Sequence, residues 1–107
     1  MQTSSFKDIL PTLKDTSHIQ RLDLIDNEGK LVDSIENVPG KSGSVSVYYH
    51  VTAEHEQLDK AAAEQALKLY AEHTEDARHH PGKHPNIDRL FDLIDNDLVY
   101  RVNVVNK

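Results

Sequence analysis

The spacing of apolar residues changes character about halfway along the chain, near Thr52. In the first half apolar and polar positions tend to alternate, the two-residue period of a strand with one buried face. His18 to Ile25 reads as a first strand. Asp26-Asn27-Glu28-Gly29 follows, where Gly29 can supply the positive φ of a tight turn. Lys30 to Val38 then closes a hairpin as the second strand, and Pro39-Gly40 marks the next turn. Ser44 to Val51 alternates most regularly: Val45, Val47, Tyr49 and Val51 on one side, Ser44, Ser46, Tyr48 and His50 on the other. This predicts a third strand, half-buried with one wet face.

From Ala53 the period lengthens to that of a helix. On a wheel of about 100° per residue, Ala62, Ala63, Ala66, Leu69, Tyr70 and Ala77 share a face, opposite Lys60, Glu64, Lys68, Glu75 and Arg78. Thr52 suits its N-cap, Glu54 and Glu56 suit its positive end, and Pro81-Gly82 stops it. A second helix begins at Pro85 or Asn86, carries Ile87, Leu90, Phe91 and Ile94 at i, i+3, i+4, i+7, and ends at Asn96. Leu98, Tyr100, Val102 and Val104 alternate as a last strand. The order β-β-β-α-α-β predicts an α+β fold, a mostly antiparallel sheet with its helices on one face. In this reading the strand before the long helix can pair with the last strand through the helical crossover.

Composition narrows the function classes. At 107 residues the chain fits one domain spanning residues 1–107. It has no cysteine, which excludes disulfides, thiolate metal sites and a cysteine nucleophile. Met1 to Lys7 lacks the apolar core of a signal peptide, and no window reaches the roughly 18 apolar residues of a membrane span. The expectation is a cytoplasmic protein that engages neither membrane nor, with a net charge of −6 and no basic cluster, nucleic acid.

Three motifs fail. Gly40-Lys41-Ser42 is similar to the end of a phosphate-binding loop, but Ile35 stands where its first glycine belongs, and a strand is expected to follow rather than a helix. His55-Glu56 begins a zinc-protease motif whose second histidine is replaced by Asp59. No Gly-x-Ser-x-Gly elbow is present.

What remains is the stretch from Glu72 to Arg89, which holds four of the seven histidines. His73 falls on the apolar face beside Ala66, Leu69, Tyr70 and Ala77, and His80 would join it if the helix reaches that far. An imidazole there either pairs both nitrogens with protein or presents one to a ligand. His73 and Asp76 are therefore the candidate catalytic pair, the histidine as base and the carboxylate orienting it. His73, Asp76, His80 and His84 are a candidate set for a divalent metal such as zinc or iron. Pro81 to Asn86 is a stiff link that delivers His84 to a helix start, where unpaired N–H groups favour an anion. Lys83, His84, Asn86, Asp88 and Arg89 are candidate ligands for a small anionic molecule. Each feature also has a plain structural reading: a packed core histidine, polar loop histidines and an ordinary Pro-ended helix link.

The run Ala71-Glu72-His73-Thr74-Glu75-Asp76-Ala77-Arg78, followed by Pro81-Gly82-Lys83-His84-Pro85-Asn86-Ile87-Asp88-Arg89-Leu90, resembles a family of small proteobacterial proteins, domain of unknown function 2322. Leu22-Asp23-Leu24-Ile25-Asp26, Gly29-Lys30, Ser34-Ile35-Glu36-Asn37 and Pro39-Gly40 are similar too. The resemblance implies a bacterial, cytosolic, single-domain protein and brings no activity, cofactor or catalytic residue. From the residues, the leading function is binding of a small ligand or metal in a pocket between the long helix and the Pro-Gly loop. The alternative is a non-catalytic protein-interaction or regulatory role, with an acidic surface at Asp92, Asp95 and Asp97 for a protein partner.

Overall fold

The computed structural model describes residues 5–107. A hairpin begins the sheet: β1 (Ile19–Ile25) pairs antiparallel with β2 (Leu31–Glu36), Leu22 opposite Ile35 and Leu24 opposite Asp33. Asp26 shapes the turn, its side chain accepting from the amides of Glu28 and Lys30 at 2.9 Å each, while Gly29 takes a φ of 81°. The last strand, β3 (Arg101–Asn106), adds antiparallel to the other side of β1, giving the order β2-β1-β3. β1 is central because both its edges are used. Its Ile19, Leu22 and Leu24 are fully buried.

The α+β class and the antiparallel sheet with helices against it hold. One element differs. Ser44 to Val51 is not a strand but lies within a helix, α2 (Ser42–His55), so it cannot pair with the last strand. Val45, Val47, Tyr48 and Val51 are all buried, including the neighbours Val47 and Tyr48, which a strand would send to opposite faces. α2 packs against β1, β2 and the next helix at once, so it has apolar residues around much of its circumference. Thr52 is accordingly no N-cap; its hydroxyl donates back to the Tyr48 carbonyl at 2.8 Å inside the helix.

The helix expected from Ala53 to Pro81 is three pieces. α2 ends at Glu56, which takes a left-handed φ of 68°. Leu58 bridges to Tyr100, and Asp59 caps α3 (Lys60–Leu69), accepting from the Ala62 amide at 2.9 Å. A turn at Ala71, with φ 53° and ψ −120°, separates α3 from α4 (Glu72–His79). α5 (Pro85–Asp95) starts on its proline and ends at Asn96, as the sequence predicts. Ile87 and Leu90 are buried; Leu93 is buried too, whereas Phe91 and Ile94 are only partly so. A short helix, α1 (Phe6–Ile9), and a 3-10 turn (Leu10–Thr12) precede the sheet. Among the described residues no helix is long and apolar enough to cross a membrane.

Candidate ligand-binding cavity

Residues from both ends of the chain build one cavity. Ser5 caps α1, and the Phe6 amide donates to Glu72 Oε1 at 2.7 Å, which ties α1 to the start of α4. That hydrogen bond is the largest cause holding the Glu72 carboxyl below its usual range. The Phe6 ring then stacks near Tyr70, centroids 5.7 Å apart, and meets His73 edge-on at 5.1 Å. Gly43, in the first turn of α2, makes this possible. A Cβ there would lie 3.1 Å from the Phe6 ring, tighter than ordinary contact. Tyr70 donates its hydroxyl to Ser44 Oγ at 2.7 Å, locking α3 to α2 behind the ring.

The opposite wall is the Pro-Gly link. Gly82, with φ 93°, donates its amide to Asp88 Oδ2 at 2.8 Å, so α5 pins its own approach. The folded link brings one ammonium and two imidazoles to Asp76. His84 Nε2 lies 2.6 Å and Lys83 Nζ 3.0 Å from Oδ2, and His80 Nε2 lies 3.8 Å from Oδ1. The bond from His84, then that from Lys83, hold the Asp76 carboxyl down at about 2.

Between these walls lies a cavity of about 270 Å³, lined by Phe6, Gly40, Gly43, Ser44, Tyr70, His73, Lys83, His84, Pro85, Asn86 and Ile87. The starts of α2 and α5 both open onto it, and neither has a side-chain cap. His73 and His84 lie against each other with ring centroids 5.6 Å apart.

The predicted residues are thus divided. His73, Lys83, His84 and Asn86 line the cavity. Asp76 does not orient His73; its short hydrogen bond is to His84, eight residues on. Asp88 closes the loop through Gly82. Arg89 is no free anion ligand: Nη1 donates to Asn86 Oδ1 at 2.8 Å and to the Tyr48 hydroxyl at 3.2 Å, and Nη2 pairs with Asp33 on β2. The metal set does not assemble. Among the described residues no three His, Asp or Glu side chains are placed to hold a metal ion, and the His80 side chain is 61% exposed, lying just past the end of α4 at His79.

Phe6, Gly40, Gly43, Ser44 and Tyr70 were not foreseen as cavity residues. The local signal is Gly40-Lys41-Ser42, which fails as a phosphate loop because Ile35 replaces its first glycine and because a strand is expected after it. A helix follows instead, and its first turn faces the cavity, although Ile35 still replaces the first glycine of the phosphate-loop motif.

A family model described as an uncharacterized protein conserved in bacteria (DUF2322) matches residues 6–104. No curated protein and no solved structure matches the chain.

Proposed function

The chain belongs to this bacterial family, and on that premise we propose that it binds a small anionic molecule in the cavity between Phe6, the start of α2 and the Pro-Gly link. The observation that carries the reading is the meeting of His73, Lys83 and His84 with the small residues Gly40, Gly43 and Ser44 around one space of about 270 Å³. That volume is near the lower end for small-molecule sites, roughly 300 Å³, so it suits a ligand of few atoms. His73 makes no side-chain hydrogen bond among the described residues, so its ring nitrogens are available to a ligand. Lys83, which Asp76 also holds, supplies charge, Ser44 a hydroxyl, and the amides of Gly43, Ser44 and Asn86, which have no backbone partner among the described residues, add N–H donors. A carboxylate or phosphate matches these donors better than a cation does.

The test is titration of inorganic phosphate and of acetate, followed by calorimetry or by the histidine resonances. His73→Gln and Lys83→Gln should each weaken binding about tenfold, one hydrogen-bonded charge contact being worth about 1.5 kcal/mol, while the melting temperature stays within a few degrees. A parent that binds neither anion, together with a His73→Gln variant that loses several kcal/mol of stability, would make His73 a packing residue and end this reading.

A further inference from the structure

A second concave surface lies beyond α4 and shares no residue with the cavity. Leu67 of α3, Ala77 of α4, and Phe91 and Ile94 of α5 form its apolar floor. Phe91 and Ile94 reach it because α5 buries Ile87, Leu90 and Leu93 on its inner side and turns these two partly outward. The space is about 860 Å³, several times that of the cavity.

Its rim is acidic. Glu64, Asp88 and Asp95 line it against a single cation, Arg78. Arg78 is already engaged: it pairs with Glu75 and lies over the Phe91 ring, 5.2 Å from the centroid. Asp88 is likewise used by Gly82. Glu64 and Asp95 make no ion pair or side-chain hydrogen bond among the described residues. Two unpaired carboxylates therefore flank an apolar floor, one on α3 and one on α5.

We propose that this groove docks a basic amphipathic helix of a partner protein. Three observations select that occupant. The flanking carboxylates call for lysine or arginine on either side of an apolar stripe. The walls are helices, whose interior backbone groups are already paired, so an extended strand would find no main-chain partners there. A second copy of this chain is disfavoured, since each carries a net charge of −6.

The probe is a synthetic peptide of about 18 residues, five helical turns, with leucines at i, i+3, i+4, i+7 and lysines flanking them. Two controls accompany it: the same composition scrambled to destroy the stripe, and a version with glutamate for lysine. The striped lysine peptide should bind in fluorescence anisotropy, and the controls should bind at least about tenfold more weakly. Glu64→Lys with Asp95→Lys should weaken it a further tenfold or so at low salt, with a smaller difference at high salt. Ile94→Asp should weaken binding at every salt concentration. All three positions are at least partly exposed, and circular dichroism melts check that the variants fold. Equal binding of the scrambled peptide, indifference to Glu64→Lys with Asp95→Lys, or no binding at all would overturn the proposal.

Discussion

Asp76 gathers Lys83 and His84 of the Pro-Gly link, and the consequence is a dependence on pH. Its carboxyl titrates at about 2 in the folded chain, held down chiefly by the His84 hydrogen bond and then by Lys83. The same group in an unfolded chain titrates near 3.9. A carboxyl with a depressed folded pKa contributes stability that is present above the unfolded value and is lost as pH falls through the folded one. The window is therefore about pH 4 down to pH 2. Between those limits the parent should lose more stability than Asp76→Asn, so that the gap between their urea midpoints narrows as pH falls. Parallel losses would mean that Asp76 is not held by the loop. Lys83 and His84 could be read from the sequence, because a short link is local; His73 lines the cavity although the wheel that singled it out does not run through the break at Ala71. The partner of Asp76 could not. It is set by the left-handed backbone of Gly82 and by the Asp88 clasp, neither of which leaves a periodic trace.

Elements were legible where one face alone is buried. α5 and β1 have such faces, and their spacing predicted them. α2 does not. Val45, Val47 and Val51 alternate with serine, tyrosine and histidine, and β-branched residues favour strands locally, so the two-residue period is real but is overridden by packing on several sides. One clue pointed the other way. No glycine or proline separates Val51 from Ala53, so a strand would have had to become a helix without a turn residue. Tyr48 distinguishes the two readings. In the helix it is fully buried, and its hydroxyl donates to the Asn86 carbonyl at 2.5 Å, with burial raising its pKa to about 12 against the opposing pull of Arg89. A strand with a wet face would leave that hydroxyl in solvent. Tyr48→Phe should therefore cost about 1–3 kcal/mol, because the Asn86 carbonyl is left without this donor. An unchanged urea midpoint would restore the strand's wet face.

At the scale of the whole molecule, Arg89, a candidate ligand residue in the sequence, instead joins the sheet edge to the helices. β2 is an edge strand, and edges are exposed to unwanted pairing. Asp33 deals with this edge twice. One oxygen accepts from the Ser34 amide at 2.8 Å, and the other pairs with Arg89 of α5. Arg89 also holds the Tyr48 hydroxyl of α2 and the Asn86 side chain, so one guanidinium joins the sheet edge to two helices. Its side chain is only 13% exposed, whereas that of Asp33 is 52% exposed, so the ion pair itself is screened and contributes little. The stabilisation rests more on the inner hydrogen bonds to Tyr48 and Asn86, which water cannot easily replace. Fork geometry matters for this role, since lysine offers one compact charge where Arg89 reaches three partners. Arg89→Lys should cost about 1 kcal/mol, and Arg89→Leu about 2 kcal/mol, by urea denaturation. The same variants, once folded, should bind phosphate as the parent does, because Arg89 does not line the cavity. The opposite pairing, with an unmoved denaturation midpoint and lost phosphate binding, would make Arg89 a ligand residue and remove it as the strut between sheet and helices.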